Sequence, residues 1–438
     1  MSSKGAGVVT DELDQHSRLV PALRFPEFRD ADGWEFKTLN HLLSEPKQRN
    51  RNLKYGPGDV LSVSGEYGCV NQIEFMGRSY AGVSVKDYHV VETGDVVYTK
   101  SPLKVAPFGI IKANKGRNGI VSTLYAVYRP TANARADYID HYFSRNYNLN
   151  SYLQPIVKKG AKNDMKVKNS DVLTGSVWVP KVDEQKKIAD CLASIDTLIA
   201  AEADKLEALK DHKKGLMQQL FPRPERIENG KRLPAETKPR LRFAEFKDAS
   251  EWQEKTVGTS SKSFSGGTPS TTDPSYYGGD IAFIRSAEID AVGTELTITK
   301  KGLINSSAKM VNVGDVLIAM YGANSGNAAI SRINGAINQA VLCLRHESDN
   351  AFLYQYWCSR QKWVTEKYLQ GGQGNLSAEI IKSVSMPTPT EAEQEKIANF
   401  LNSLDRVVAA QHERVLTLKH HKSGLMQRLF VVSEEVNV

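Results

Sequence analysis

The sequence predicts an α+β protein in which two tandem mixed α/β units are separated and joined by two long helices that form a coiled coil. Two internal repeats and one heptad pattern support this fold class. Residues 21–39 and 239–257 share an opening motif. Residues 184–221 and 393–430 share a longer segment, which aligns without a gap and is identical at about half of its positions. The chain therefore contains two copies of one unit.

The opening motif begins each copy. It reads PALRFPEFRDADGWEFKTL in the first and PRLRFAEFKDASEWQEKTV in the second. The residues that recur are Leu23, Arg24, Phe25, Glu27, Phe28, Asp30 and Trp34, with the counterparts Leu241, Arg242, Phe243, Glu245, Phe246, Asp248 and Trp252. The stretches between the opening motif and the longer segment match far less well. The two units thus have similar ends and divergent middles.

The longer segments have the apolar spacing of long helices. Intervals of four and three alternate, which is the heptad spacing of a coiled-coil seam. The predicted seam residues are Ile188, Leu192, Ile195, Ile199, Leu206, Leu209 and Leu216 in the first helix, and Ile397, Leu401, Leu404, Val408, Val415, Leu418 and Leu425 in the second.

Polar residues interrupt both seams at the same two positions. They are Glu202 and Lys213 in the first helix and Gln411 and Lys422 in the second. Matched polar residues in a seam can determine its register. A narrow apolar stripe needs a partner helix, and the nearest is the other copy in the same chain. The alternative is that each helix packs on its own domain.

The divergent middles are predicted to be mixed α+β. A Gly-Asp pair at Gly94 and another at Gly314 precede apolar runs, which indicates a turn followed by a strand. Residues 136–154 and 351–369 are aromatic-rich and predict helices, each followed by a polar loop that contains glycine.

Proline-rich and polar stretches indicate the domain limits. A short strand ending at Pro180 or near Pro387 is predicted to lead into each long helix. Residues 222–238 are polar, with prolines and a glycine, and predict a linker. The predicted order is a tail, a first domain, a central helix, the linker, a second domain, a C-terminal helix and a tail, at 1–20, 21–182, 183–221, 222–238, 239–390, 391–430 and 431–438.

Composition is that of an ordinary globular protein. There is no apolar run long enough for a transmembrane helix and no apolar leader at the start, so a cytoplasmic protein without a membrane partner is expected. The four cysteines are scattered, which fits a reducing compartment and argues against a zinc site. The net charge of +7 is compatible with a polyanionic partner without proving one.

No catalytic motif is present in the sequence. It lacks the phosphate-binding loop GxxxxGK[ST], a GxGxxG fingerprint and the Pro-Pro turn that an adenine amino-methyltransferase needs. Its carboxylates are spread rather than clustered, as a nuclease metal site would require. His412, His420 and His421 lie on one predicted helix, where solvated histidines are the simpler interpretation. We therefore expect no catalytic residue and no metal.

Basic and amide-rich loops are the better candidates for function. Clustered lysine and arginine side chains can neutralise phosphates, and amides and tyrosine can read base edges. The candidates are Lys47, Arg49, Arg51, Lys54, Lys158, Lys159, Lys162 and Lys166 in the first unit, and Arg285, Tyr321, Asn324, Asn327, Gln373 and Asn375 in the second. The alternative is that these loops are merely solvated.

The repeated motifs resemble those of a known family. PxLRFxEF…W at the start of each copy, and P…EQxKIAxxLxSxD continuing to HKxGLMQxLF at its end, are similar to the motifs of specificity subunits of type I restriction-modification systems. The motifs occur twice and cover the whole architecture.

The resemblance implies a non-catalytic subunit. In this family each variable domain is a target recognition domain that reads one half of a split DNA site, and the helices pair antiparallel as a spacer. Two modification subunits using S-adenosylmethionine assemble on it, and restriction subunits using ATP and magnesium can join. The resemblance also implies that Arg24, Phe25 and Phe28 with their counterparts are structural.

Two other classes remain open from the residues alone. A stand-alone DNA-binding or scaffold protein would use the coiled coil only for oligomerisation. An enzyme in its own right would methylate or cleave DNA as a purified chain.

Overall fold

The computed structural model describes residues 19–159, 165–369 and 374–431. The chain forms two compact units. Unit 1 joins the described residues up to Ala201 to those from Val415 onward, and unit 2 is Glu202–Arg414. The division crosses both long helices, so each unit contains one domain and a part of each helix. The limits predicted from the sequence follow the repeat, whereas these units follow the packing.

Unit 1 is built around an antiparallel four-stranded sheet, which short ladders and helices surround. Its strands are β1 (Glu35–Thr38), β2 (Leu43–Ser44), β3 (Leu61–Ser64), β4 (Gly68–Asn71), β5 (His89–Val91), β6 (Val96–Thr99), β7 (Ile110–Ala113), β8 (Gly119–Val121), β9 (Tyr125–Pro130), β10 (Lys158–Lys159), β11 (Met165–Lys166) and β12 (Ser176–Val179). Its helices are α1 (Leu39–Leu42), α2 (Gln72–Met76), α3 (Ala136–Ser144), α4 (Asn146–Leu153) and the first part of α5 (Val182–Leu220).

Unit 2 has a similar sheet and a second one. Its strands are β13 (Arg226–Glu228), β14 (Lys231–Leu233), β15 (Ser261–Ser265), β16 (Tyr277–Ile284), β17 (Thr297–Ile298), β18 (Lys309–Val311), β19 (Val316–Ala319), β20 (Ala328–Ile330), β21 (Gly335–Ile337) and β22 (Val341–His346). Its helices are α6 (Lys300–Ile304), α7 (Asn350–Tyr368), α8 (Ala378–Ser383), the last part of α5 and the first part of α9 (Glu391–Leu429). The last part of α9 belongs to unit 1.

The central sheets have the same order of strands. In unit 1 the order is β2-β9-β6-β7, and in unit 2 it is β15-β22-β19-β20, with every pair antiparallel. Beyond this sheet the units differ. Unit 2 adds the four-stranded sheet β17-β16-β21-β18, in which β16 and β21 are parallel. Unit 1 instead has the ladders β3–β4 and β5–β8.

The Gly-Asp turns begin strands of the central sheets, as the sequence predicts. Gly94 and Gly314 have φ values of 91° and 93°, which favour glycine. The following Asp95 accepts hydrogen bonds from Arg129 on β9, and Asp315 accepts them from Arg345 on β22. The turn thus ties two neighbouring strands together in each unit.

Two local expectations need correction, and the predicted linker has structure of its own. Residues 136–154 form two helices, because Arg145 is extended between α3 and α4. The asparagine-rich stretch after it has low helix propensity. Near Pro387 there are only isolated bridges rather than a strand, since prolines cannot donate to a ladder. The linker 222–238 contains the hairpin β13–β14, whose turn places Asn229 and Gly230 at positive φ.

The two long helices are antiparallel. Along α5 the polar side chains that contact α9 are Asp196, Glu202 and Lys213. Their partners run in the opposite direction, as Lys422, Gln411 and Asp405. All fourteen predicted seam residues are buried or half-buried. The helices also pack on the domains, since Ile188 and Leu192 belong to the core of unit 1.

We call HKxGLMQxLF, at the end of each long helix, the closing motif. The closing motif of each copy packs in the unit that contains the opening motif of the other copy. Met426, Leu429 and Phe430 at the end of α9 lie in the core of unit 1 with Trp34. Met217, Leu220 and Phe221 at the end of α5 lie in the core of unit 2 with Trp252. Backbone hydrogen bonds repeat this exchange, from Leu23 to Arg428 at 2.8 Å and from Leu241 to Gln219 at 2.9 Å.

Candidate nucleic-acid interface

The opening motif anchors each domain to its long helix. The guanidinium of Arg24 donates two hydrogen bonds to the carboxylate of Glu184 in the first turn of α5, at 2.8 and 2.7 Å. Arg242 does the same to Glu393 in α9, at 2.7 and 2.6 Å. The hydrogen bonds that each arginine donates to its carboxylate raise the pKa of that arginine. These residues form a structural clamp, which leaves the loops as candidates for binding.

The first basic cluster lies on a rigid loop of unit 1. Asn50 is fully buried, and its side chain bonds the backbone of Tyr55 and the carbonyl of Val85. The predicted side chains of Lys47, Arg51 and Lys54 on this loop are exposed. Because the loop is fixed from inside, it presents these cations in a defined geometry.

Two side chains of this cluster already contact other groups of unit 1. Arg49 is half-buried, and its guanidinium donates to the carbonyl of Asp87 at 3.1 Å. The ammonium of Lys54 lies 5.3 Å from the centre of the Tyr55 ring. Lys47 and Arg51 are therefore the members best placed to contact an anion.

The second basic cluster lies on a small hairpin. Lys158 is exposed, and its backbone pairs with that of Lys166 in the ladder of β10 and β11. In the same ladder the backbone of Lys159 pairs with that of Met165, whose side chain is buried. The fourth predicted residue, Lys162, lies outside the described residues.

The amide-rich candidates of unit 2 lie on two loops in contact. One loop follows β19 and carries Tyr321, Asn324 and Asn327. The other carries Asn375, whose side-chain oxygen accepts a hydrogen bond from the backbone of Gly322 at 3.3 Å. Tyr321 is 40% exposed, so its ring is accessible to a partner. The structure therefore groups four predicted residues into one polar surface.

The other two candidates of unit 2 are Arg285 and Gln373, and the contacts of the described residues do not place either of them on this polar surface. Arg285, at the end of β16, donates to Glu288 at 2.9 Å and to Glu295 at 2.5 Å. These two carboxylates raise its pKa and compensate its charge. Gln373 lies outside the described residues.

An exposed aromatic patch in unit 1 was not predicted. It consists of Tyr67, Phe75 and Tyr80, and the rings of Tyr67 and Phe75 are 5.4 Å apart. The guanidinium of Arg78 lies over the Tyr80 ring at 4.6 Å. The only available signal in the sequence was three aromatic residues and one arginine within residues 67–80. Such a surface can stack on bases or on another protein.

Burial shifts the pKa values of several histidine and cysteine side chains among the described residues. Burial lowers the pKa values of His89 and His141 to about 4. Burial also raises the pKa of Cys69 and Cys343 to about 12 and that of Cys358 to about 11. These thiols stay protonated and are poor nucleophiles at neutral pH. Within the described ranges, no group of histidine, cysteine and carboxylate side chains could hold a metal ion.

Comparisons with known proteins agree with the resemblance in the sequence. Residues 249–420 match the model of the type I restriction modification DNA specificity domain. A putative type I restriction enzyme MjaX specificity subunit from Methanocaldococcus jannaschii is 24% identical over 315 residues, which cover 69% of each chain.

Solved structures share the fold. The S subunit of a type I restriction-modification system from M. genitalium superposes with a TM-score of 0.56 at 13% identity, over 94% of this chain and 100% of that one. A chain from a structural study of type I R-M complex assembly superposes with a TM-score of 0.54 at 16% identity, over 91% of this chain and 97% of that one.

None of the helices in the described part of the chain is long and apolar enough to cross a membrane. The resemblance to type I specificity subunits is confirmed by the specificity-domain match and the related sequence, and the predicted fold class is confirmed by the solved structures. The chain therefore contains the type I restriction modification DNA specificity domain at residues 249–420, and over about two thirds of its length it is similar to a type I specificity subunit.

Proposed function

We propose that this chain is the non-catalytic DNA-recognition subunit of a type I restriction-modification complex in the cytoplasm. Each unit reads one half of an asymmetric bipartite site in double-stranded DNA. The paired helices set the spacing between the half-sites and dock the modification subunits. The family is in general non-catalytic, which agrees with the buried thiols and histidines described above.

One observation carries this proposal: two similar scaffolds present different loops. The central sheets of the units share one strand order. The loops of unit 1 expose lysine and arginine, whereas the grouped loops of unit 2 expose tyrosine and asparagine. Cations neutralise phosphates, and amides form hydrogen bonds with base edges. Different loops on one scaffold would read different half-sites.

The pairing of the helices favours a spacer over an oligomerisation rod. All fourteen predicted seam residues are already buried or half-buried within one chain. A second chain would find no exposed seam to pair with. Each helix of 39 residues would be about 58 Å long at ~1.5 Å per residue, equivalent to ~17 base pairs of DNA.

The partners and cofactors follow from the proposed role. Two modification subunits would supply methyl transfer from S-adenosylmethionine, and restriction subunits would supply ATP- and magnesium-dependent translocation and cleavage. The role proposed for this chain is to hold the DNA and the partners. Highly purified chain is expected to show no methylation or cleavage, and turnover free of partners would overturn the non-catalytic assignment.

Exchange of one domain tests whether each unit reads its half-site independently of the other unit. Residues 40–180 are replaced by the middle of a related subunit, and methylated adenines are mapped in cells that carry the modification subunits. The expected result is a change in one half-site while the other half-site is retained. Replacement of the middle of unit 2 is the matched control and should change the other half-site. A change in both half-sites from one exchange would contradict separate reading.

Paired insertions test the spacer. One heptad is added between Ala201 and Glu202 and a second between Arg414 and Val415. Because the helices are antiparallel, both insertions are needed to retain the pairs Lys422–Asp196 and Gln411–Glu202. Seven residues add ~10 Å, or ~3 base pairs. We expect the same half-sites with a longer gap, and an active complex with the original gap would contradict the proposal.

A further inference from the structure

Unit 1 contains a basic cleft that none of the predicted sites includes. Its volume is about 600 Å³. Strand β7, the junction of α3 and α4, and the last turns of α9 line it. The cationic and hydroxyl side chains of this basic cleft are Lys112, Ser144, Arg145, Tyr147, Lys419, Lys422 and Ser423. Glu66 is the single carboxylate among its described lining residues.

Two of the cations are already held in place. The ammonium of Lys112 donates to the hydroxyl of Ser144 at 2.7 Å and lies 3.8 Å from the carboxylate of Asp140. Lys422 pairs with Asp196 at 2.5 Å. Both therefore line the basic cleft with their positions set by neighbouring groups.

The other two cations are less compensated. Arg145 has a terminal nitrogen, Nη1, that is buried and has no hydrogen-bond partner among the described residues. Lys419 is exposed, and no carboxylate of the described chain pairs with it. A buried unsatisfied donor on a charged group is costly, so the cleft favours an anion that can accept these hydrogen bonds.

The matched residues of unit 2 are occupied by the protein itself. Arg360 corresponds to Arg145, and it donates to the hydroxyl of Tyr356 at 3.0 Å and to the carbonyl of Pro222 in the linker. Lys210 corresponds to Lys419, and it pairs with Glu207 at 2.8 Å. The need for an external anion is therefore specific to unit 1.

We propose that the basic cleft binds a phosphate group of the DNA backbone. A tetrahedral anion suits donors that approach from several directions, and here they come from three separate elements. Hydroxyl and ammonium groups together are typical phosphate ligands in protein–DNA contacts. This inference rests on the proposed function. It adds to unit 1 a DNA contact that does not depend on the base sequence. The matched residues of unit 2 provide no such contact.

The experiment measures duplex binding by the full chain assembled with its modification subunits. The variants are Lys419→Gln and Arg145→Gln, and Lys210→Gln is the matched control with the same loss of charge. The affinity for cognate and non-cognate duplexes is measured over a range of salt concentrations. The slope of log affinity against log salt should fall by ~0.9 for each lost phosphate contact in the first two variants. It should not change in the control.

Lys419 is on the surface, so its variant tests the proposal even if replacement of the half-buried Arg145 impairs folding. Equal slopes in Lys419→Gln, Lys210→Gln and the unchanged chain would overturn the proposal. Loss of the modification subunits from the Lys419→Gln complex would overturn it in favour of a protein interface. Failure of the unchanged complex to prefer its cognate duplex would contradict the proposed function instead.

A second arm separates a DNA phosphate from a free anion. Inorganic phosphate is added at constant ionic strength, and thermal unfolding of the chain is followed. Duplex binding is measured in the same phosphate solutions. Under the proposal, phosphate weakens duplex binding by the unchanged chain and weakens it less in Lys419→Gln. Stabilisation by phosphate together with unchanged DNA slopes in the variant would assign the cleft to a free anion and overturn the DNA assignment.

Discussion

The two units are alike where they contact the helices and differ where they do not. Both have the same order of strands in the central sheet and the same arginine clamp onto a long helix. Only unit 2 has the additional sheet β17-β16-β21-β18. Close packing against a helix restricts side-chain volume and shape. The outer strands and loops are free of that restriction, and this is where the proposed recognition residues lie.

A second difference concerns one matched arginine. In unit 2 the linker satisfies Arg360, whereas in unit 1 Arg145 lines the basic cleft and its buried Nη1 atom has no hydrogen-bond partner among the described residues. Similar residues therefore have different environments, because the segment after each closing motif differs. Similarity between the copies thus predicts the scaffold better than it predicts the binding surface.

The largest expected effect tests whether the clamps are equivalent. Replacing Arg24 by alanine leaves Glu184 buried without its partner, and replacing Arg242 does the same to Glu393. Breaking a buried ion pair costs ~3–5 kcal/mol, so both variants should lose stability to a similar extent. Urea unfolding measures the loss of stability in each variant, and hydrogen exchange shows which unit has lost it. A large loss in one unit only would show that the clamps differ.

A matched control is the exposed pair between Lys187 and Glu27, which repeats as Lys396 and Glu245. These side chains are close to half exposed, and ion pairs of this kind contribute little. Lys187→Gln should therefore leave the unfolding midpoint almost unchanged.

Acid should weaken unit 1 more than unit 2. Burial lowers the pKa of His141 to about 4, and the nearby charge of Lys115 lowers it further while Asp140 opposes this. The unfolded chain takes up a proton on this histidine near pH 6.5, whereas the folded unit does not. The contribution to stability is complete above pH 6.5 and is lost as the pH falls towards 4, by ~3 kcal/mol for a shift of this size.

His141→Asn should make the stability of unit 1 less dependent on pH between 6.5 and 4. The matched residue in unit 2 is Tyr356, whose raised pKa keeps it neutral throughout this range. Hydrogen exchange at a series of pH values follows each unit. An unchanged pH dependence in the variant would show that His141 is accessible to protons in the folded unit.

A smaller effect is expected at the middle of the coiled coil. Gln411 donates to the backbone carbonyl of Glu202 at 2.9 Å and to its carboxylate at 2.7 Å. Gln411→Leu removes these buried hydrogen bonds, and the loss of one is typically ~1 kcal/mol. Leucine at both positions should restore most of the stability, because it extends the apolar seam. If the double variant is weaker than the single one, the polar pair is needed for register.

The smallest effect on stability and the clearest one on binding concern the loops. Replacing Lys158, Lys159 and Lys162 by alanine should weaken cognate and non-cognate DNA similarly, with a fall in salt slope of ~0.9 per lost contact. Asn324→Ala or Asn375→Ala should instead cost ~1–3 kcal/mol at the base that is read. Binding assays on both duplexes separate the two outcomes. Unchanged affinity and slope would mean that the loops are merely solvated.

Much of the fold was predictable from local patterns. The predicted helices 184–221 and 393–430 correspond to α5 (Val182–Leu220) and α9 (Glu391–Leu429) within two residues at each end. The Gly-Asp turns and the aromatic α7 were also predicted. These features depend on residues close in sequence, so periodicity and turn chemistry reveal them.

The candidate surface was predicted only in part. Tyr321, Asn324, Asn327 and Asn375 do come together, but the sequence does not indicate that Arg285 is held by Glu288 and Glu295. The aromatic patch at Tyr67 was missed, because exposed and buried aromatic residues look the same in a sequence.

By itself the sequence determined that there are two copies of one unit, two long helices and a heptad seam. Only the tertiary structure decided that the end of each copy packs in the unit that carries the start of the other. It also decided that the linker folds onto α7, where the indole of Trp363 donates to the carbonyl of Glu225 at 2.9 Å. Trp363 and Glu225 are 138 positions apart, and Leu23 contacts Arg428 from the other end of the chain. No local pattern encodes such contacts, because they depend on which surfaces remain to be buried once the helices have paired.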